Sequence, residues 1–207
     1  ECDIVCYVNA DIILTNSLMK AVSYVSDKKK NFMLVGRRGD ISVTNPLNFE
    51  NRESFAGNLL KCSRLCSKFA IDYFVFPKGM FRNLPPFVLG RPSFDNWLLY
   101  KTRKMGITLI DATSVVNVFH QKHDYLHVHG IIPRTCPEAE QNLKLAGSAM
   151  HLYSIDHASH ILTKNGLKSN FFGSSRAYFS ILYDVQMGEL GIYLKKNFPW
   201  IYVSLTR

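Results

Sequence analysis

The stretch from Leu84 to Tyr100, LPPFVLGRPSFDNWLLY, constrains the fold of this chain more than any other. Its two adjacent prolines exclude a helix interior and favour extended backbone before them. A glycine and a third proline flank Arg91, which is typical of a turn that presents the cation. Ser93 is a good capping residue, and the apolar positions that follow have helical spacing, so we predict a helix over 94–105.

Polar side chains gather at the start of that predicted helix. Asp95 and Asn96 lie in its first turn, beside the loop that carries Arg91, with the indole of Trp97 behind them. The plainest interpretation is that Asp95 complements the helix dipole and pairs with Arg91. The same arrangement also suits a site where a carboxylate acts on a bound molecule.

Length and composition are those of an ordinary folded domain. The chain has 207 residues, of which 47% are hydrophobic and 20% charged, enough for one domain with a core. No apolar run reaches the ~18 residues needed to cross a bilayer, so membrane association is expected only through missing or C-terminal segments. The net charge of +9 favours anionic partners, but nucleic acid is disfavoured because basic and aromatic residues do not alternate.

Strand and helix patterns alternate along most of the chain. Apolar runs at 4–8 and 32–36 flank an amphipathic segment, which predicts a βαβ unit with a parallel strand pair, the first strand buried on both faces. Further strands are predicted at 71–77, 107–111 and 113–119, and further helices within 59–69 and at 137–146. We therefore expect an α/β fold with a mostly parallel sheet flanked by helices, and residues 166–207 stay unassigned.

Asn9 and Asp11 follow the first predicted strand, and ligands of open α/β sheets bind beyond the carboxyl ends of strands. Their oxygen atoms suit a hard divalent cation, because Mg²⁺ commonly takes one or two carboxylates together with substrate phosphates. The alternative is that Asp11 merely caps the loop or the next helix.

Four of the seven histidines fall between His120 and His129, directly after a predicted strand. Such a cluster suits a metal ligand, a general base or phosphate donors, and a solvated loop is the alternative. Arg37 and Arg38 also follow a strand, where an exposed basic turn is the usual meaning. Because strand ends of a parallel sheet meet at one edge, we expect all these groups to converge there.

Six segments, in this order, resemble the motifs of GT-A-type glycosyltransferases near the large family-2-like group of inverting enzymes. The branch is the one that includes the compact glycosyltransferase domain of a large chlorovirus protein. The segments are YVNADIIL, FMLVGRRGD, DYFVFPKGMF, LPPFVLGRPSFDNWLLY, HQKHDYLHVHG and PEAEQNLKLAG. The resemblance implies that residues 1–165 are the carboxyl-terminal portion of such a domain, truncated before the half that holds the nucleoside. We therefore expect the chain alone to bind donor weakly.

The resemblance implies metal-assisted, inverting transfer of a sugar from a nucleotide-diphosphate donor to the hydroxyl of a glycan or other acceptor. Asp95 would be the catalytic base. Asp11, with Asn9, would bind Mn²⁺ or Mg²⁺, and His120 or His123 would complete the metal site. The substrate-binding residues would be Arg91, Asn96, Trp97, Tyr73, Arg37 and Arg38, with Trp97 and Tyr73 as a platform for the acceptor. The Golgi lumen and the cytoplasm both suit such an enzyme.

Two other functions remain open from the sequence. Asn9, which stands where the resemblance implies an acid, suits a non-catalytic GT-A-like binding or interaction module. The histidine cluster by itself suits a histidine–metal hydrolase, and that alternative predicts bound zinc.

Overall fold

The computed structural model describes residues 3–43, 52–122 and 136–197, which form an α/β fold with two mixed sheets flanked by helices. The strands are β1 (Ile4–Val8), β2 (Ile12–Leu14), β3 (Phe32–Val35), β4 (Gly39–Ile41), β5 (Arg64–Leu65), β6 (Tyr73–Pro77), β7 (Thr108–Asp111), β8 (Val118–Gln121), β9 (His160–Thr163) and β10 (Gly166–Ser169). The helices are α1 (Asn16–Ser26), α2 (Arg52–Cys62), α3 (Phe94–Lys104), α4 (Pro137–Ala146) and α5 (Phe171–Asn197).

The larger sheet has the strand order β1-β6-β3-β7-β9-β10, and the smaller one β2-β8-β4-β5. Only the pairs β3–β7, β7–β9 and β4–β8 are parallel among the described strands, so the expectation of a mostly parallel sheet is wrong. The predicted parallel pairing of β1 with β3 is also wrong, because β6 lies between them and is antiparallel to both.

The direction of β6 has a simple cause. After β5 the chain returns alongside the end of β3, where Cys66 N donates to Arg38 O and Arg38 N donates to Ala70 O. The next strand therefore starts at the end where β3 finishes, and it has to run the opposite way. As a result, β1 lies at the edge of the described sheet, and Cys6 on this strand is exposed. The prediction that β1 is buried on both faces is therefore wrong.

The core lies on both faces of the larger sheet, and all four residues of β3 are buried. Met33 and Val35 pack with α3 on one face, while Phe32 and Leu34 pack with α1 on the other. This alternation is what a strand covered by helices on both sides requires. The result is a three-layer arrangement that holds the strand ends in place.

Three times the chain leaves the larger sheet and enters the smaller one: from β1 to β2, from β3 to β4 and from β7 to β8. The residues that follow β1 and β3 therefore lie where the two sheets meet. Asp72 joins them, because it directly precedes the antiparallel β6 and its carbonyl accepts from Asn9 N. This junction carries the polar residues considered below.

Helices α3 and α4 confirm the predictions for those segments, with Gly147 at φ 82° ending α4. Other boundaries differ: the helix predicted within 59–69 ends at Cys62, and His120 lies inside β8 and not after it. The unassigned region contains β10 and the long helix α5. Within the described residues, no helix is long and apolar enough to span a membrane.

Candidate functional site

A continuous series of polar contacts crosses the junction between the two sheets. Asn9 Nδ2 donates to Asp72 Oδ1 over 2.8 Å, and Arg38 Nη1 lies 2.8 Å from Asp72 Oδ2. The same guanidinium continues the series, with Nε 3.3 Å from Asp40 Oδ1. The ends of β1 and β3 and the start of β6 are thereby joined by one cation and two carboxylates.

The series continues into the smaller sheet through His120. Its Nδ1 lies 3.2 Å from Asp40 Oδ1, and its Nε2 lies 3.2 Å from Asp11 Oδ2. The strand pairing produces this geometry, because Asp40 on β4 and Ile12 on β2 are both register partners of His120. The buried imidazole thus bridges two carboxylates that lie on either side of it.

The charged groups of this network shift one another's pKa values. Burial alone would raise the pKa of Asp40, but the Cys66 thiol, the Arg38 guanidinium and the His120 ring together hold that pKa below its ordinary value. Burial likewise opposes the charge on Arg38, yet the Asp72 carboxylate raises the pKa of the guanidinium well above its usual range. Arg38 and Asp40 are therefore ionised throughout the physiological pH range.

Asp95 lies at the start of α3, and the pKa of its carboxyl group is unusually high. Burial raises the pKa of Asp95 to about 7, and the nearby Asp72 carboxylate also raises it. The backbone N–H of Asn96, which donates to Asp95 Oδ1 over 2.9 Å, and the Arg38 guanidinium act in the opposite direction. Asp95 is thus electrostatically linked to the same network and changes its charge near neutral pH.

The backbone that presents Asp95 is strained. Ser93, the N-cap of α3, has φ 86°, the left-handed region that a non-glycine residue rarely adopts, and its side chain makes no capping hydrogen bond. The sequence predicts the position of this cap, whereas its conformation departs from an ordinary serine cap. Strain of this kind is often retained where a side chain must be held in one orientation.

Tyr7 is a member of this region that the sequence did not reveal. Burial raises the pKa of its hydroxyl, and the nearby Asp95 and Asp72 carboxylates raise it further. Its ring packs edge-on against Phe94, with the centroids 5.6 Å apart. The available signal was the strand period of two, which puts Tyr7 on the same side of β1 as Asn9.

The predicted acceptor platform is wrong. Tyr73 is completely buried and packs in the core beside α1, and Trp97 is 7% exposed and packs against Phe87. A ring that is enclosed by core side chains cannot stack on a bound sugar. Both rings support the sheet and helix that carry the site.

Other predicted contact residues have structural partners. Asn96 Nδ2 donates to Tyr153 O over 2.8 Å, and Arg37 holds the Cys66 carbonyl, with Nε at 2.8 Å. Arg91 Nη1 donates to Gly90 O over 3.2 Å and does not form the pair with Asp95 that the sequence suggested. Of the described side chains predicted to contact substrate, the structure brings Arg38 alone into the network, and Asn96 contributes its backbone N–H to Asp95. His123 lies outside the described residues.

Asp11 and His120 are the described residues that fit a divalent cation best. Their Oδ2 and Nε2 atoms face each other, and Asp40 engages the other ring nitrogen of His120, as carboxylates do behind metal-bound histidines. Within the described ranges, no group of three or more His, Cys, Asp or Glu side chains is placed to hold a metal ion. Phosphate oxygens and water would have to complete the coordination, as is usual for Mg²⁺.

Comparisons of the chain with protein-family models, with curated proteins and with solved structures give no significant match. The interpretation of the site therefore depends on its own chemistry. That chemistry consists of a carboxyl group that ionises near neutrality, a fixed cation between the Asp72 and Asp40 carboxylates, and a histidine that bridges Asp40 and a third carboxylate, Asp11.

Proposed function

We propose that this chain performs the acceptor activation and leaving-group steps of an inverting glycosyl transfer from a nucleotide-diphosphate sugar. The observation that supports the proposal is the carboxyl group of Asp95, with a pKa of about 7, beside the Asp72–Arg38 pair. A general base works best when its pKa lies near the working pH. The ordered motif resemblance of residues 3–165 points to the same reaction.

In the proposed reaction, Asp95 accepts the proton of an acceptor hydroxyl as that oxygen bonds to the anomeric carbon of the sugar. The bond from that carbon to the diphosphate oxygen breaks, and the nucleoside diphosphate leaves with the bonding electron pair. One positioned base typically contributes about 10²–10⁴-fold to the rate. Burial keeps the pKa of Asp95 close to neutrality, and the Asp72 and Arg38 charges act on it in opposite directions.

Asp11 and His120 would hold the divalent metal, with Asp40 orienting the imidazole. A bound Mn²⁺ or Mg²⁺ would supply charge neutralisation for the departing diphosphate. The Asn9 amide donates from Nδ2 to Asp72 and so helps to fix the carboxylate that raises the pKa of Asp95.

A panel of UDP- and GDP-sugars with Mn²⁺, assayed for donor hydrolysis and for transfer, tests the proposal. We expect Asp95→Asn to lose at least ~10²-fold in turnover with little change in nucleotide binding, whereas Asp11→Ala weakens both. Asp27→Asn, at an exposed acid after α1, is the matched control. Unchanged turnover in both site variants would end the assignment.

A second candidate is a binding module without turnover, because Asn9 supplies a neutral amide, engaged with Asp72, at the position where the resemblance implies an acid. Calorimetry with UDP or GDP and Mn²⁺ separates the candidates. Binding without turnover supports the module, and bound zinc in elemental analysis supports a histidine–metal hydrolase.

A further inference from the structure

Helix α5 has two apolar faces, and among the residues that the structure describes, the body of the protein covers one of them and leaves the other exposed. On the covered face, Ala177 is fully buried, and its carbonyl accepts from the hydroxyl of the buried Tyr153 over 3.2 Å. Further along the same face, Asp184 Oδ2 lies 2.7 Å from His151 Nε2 and accepts from Tyr100 Oη over 2.9 Å. These contacts hold α5 in a defined orientation.

The opposite face of α5 is aromatic and exposed. Its residues recur at i, i+7 and i+11, and again one position later, so they form two adjacent stripes along the helix. They are Phe171, Phe172, Tyr178, Phe179, Leu182 and Tyr183, hereafter the aromatic face. Phe171 and Phe172 are 77% and 79% exposed, and Phe179 is 65% exposed. A patch of this size and composition on a water-facing helix indicates an interaction surface.

Charges in the segment that contains the aromatic face favour one class of partner. Residues 164–183 contain Lys164, Lys168 and Arg176 and no acidic residue, and the two acidic residues of α5, Asp184 and Glu189, follow this stretch. Arg176 shares the nearby Asp156 with Lys68, so two cations there meet one carboxylate. The whole chain carries a net charge of +9. Two copies of this face would bring like charges together, whereas an anionic lipid surface would meet complementary charge.

We propose that the aromatic face of α5 binds the surface of an anionic membrane, lying in the interface without crossing it. Exposed phenylalanine and tyrosine rings insert at the level of the headgroups, and neighbouring lysines contact acidic headgroups. Because Asp184 and Ala177 fix the helix on the body, this binding also sets the orientation of the domain on the lipid. The proposal is independent of the reaction catalysed.

Co-sedimentation of the full chain with lipid vesicles tests this proposal. We expect binding to vesicles that contain phosphatidylglycerol, weaker binding to pure phosphatidylcholine, and a decrease as salt is raised. Phe172→Ser and Phe179→Ser should each weaken partitioning by on the order of tenfold, because each removes a ring that the lipid would bury. Met19→Ser, at a 66% exposed residue on α1, is the matched control.

A charge-reversed pair completes the design. Lys164→Glu with Lys168→Glu should abolish the preference for anionic vesicles, while Lys20→Glu, at an exposed lysine of α1, should not. Unchanged vesicle binding in the phenylalanine variants would overturn the proposal. The proposal would also be overturned if the protein did not bind vesicles and light scattering showed a dimer that became monomeric in the Phe172→Ser and Phe179→Ser variants. The aromatic face would then bind a second copy of the chain.

Discussion

The Asp72 carboxylate and the Arg38 guanidinium meet over 2.8 Å, with side chains that are 9% and 18% exposed. This pair joins the start of β6 to the link that leaves β3. Both of its charges act on the pKa of Asp95, in opposite directions. The ionisation of a residue on α3 therefore depends on a contact between two distant segments of the chain.

Changing either member of the pair should shift the pKa of Asp95 predictably. Asp72→Asn removes a neighbouring negative charge, so we expect that pKa to fall below about 7. Arg38→Met removes the stabilising cation, so we expect it to rise. Carboxyl-carbon NMR titration of Asp95 measures both shifts, with Asp27→Asn as the control that should leave the pKa unchanged. Shifts of the same sign in both site variants would contradict this electrostatic arrangement.

Stability should depend on pH through Asp95. Its pKa rises from 3.8 in the unfolded chain to about 7 in the folded protein, so the folded state binds more protons between these values. Its contribution to stability is therefore complete below pH 4 and is lost as the pH rises to 7. A shift of one pKa unit corresponds to about 1.4 kcal/mol of stability. This value is an upper bound for Asp95, because the residue is partly exposed and water screens its charge.

Asp95→Asn should remove this pH dependence. Urea unfolding at pH 4.5 and at pH 8 should show a smaller loss of stability in the variant than in the parent chain, with Asp27→Asn resembling the parent. A variant that loses as much stability as the parent between the two pH values would show that Asp95 is not the group responsible.

The contacts of Asp184 should hold α5 against the body. Its Oδ2 lies 2.7 Å from His151 Nε2 and accepts from Tyr100 Oη over 2.9 Å, and His151 stacks on the Tyr100 ring. Asp184→Ala leaves both donors without this acceptor and should cost about 2 kcal/mol, whereas Tyr100→Phe should cost about 1 kcal/mol. Hydrogen exchange of the α5 amides up to residue 184 measures the loss. Glu189→Ala, at an exposed acid beyond it, should leave that exchange unchanged.

Gly173 should be needed for the docking of α5. A Cβ at this position would collide with the carbonyl oxygen of Ala158, which is backbone and cannot move aside easily. Gly173→Ala should therefore lower the melting temperature and speed exchange in the first turns of α5. Gly188→Ala is the matched control, because a Cβ there meets nothing within 4 Å and alanine favours helix by about 1 kcal/mol. Equal effects of the two substitutions would refute the role of the close contact.

Local patterns were sufficient where a single segment decides its own conformation. The apolar period of 94–105, and the proline and glycine that bound 137–146, correctly predicted α3 and α4. Side chains such as Asn9, Asp11 and Arg38 were correctly placed after strands, because a change from apolar to polar residues marks a strand end. The chemistry assigned to them remains a proposal.

Contacts between distant segments decided the rest. The reversed direction of β6 follows from the return of the chain beside Arg38, a pairing that leaves no periodic signal in the sequence. Tyr73 and Trp97 were predicted to stack on a bound acceptor, but packing against core side chains buries both rings. The pKa of Asp95 depends on burial and on Asp72 and Arg38, which are remote along the chain. Hydrophobic period and capping act over a few residues, so local patterns correctly predicted segments such as α3 and α4 and the polar residues at strand ends. The pairing, burial and charge state of these segments depend on which distant atoms become neighbours, and the tertiary fold alone specifies those neighbours.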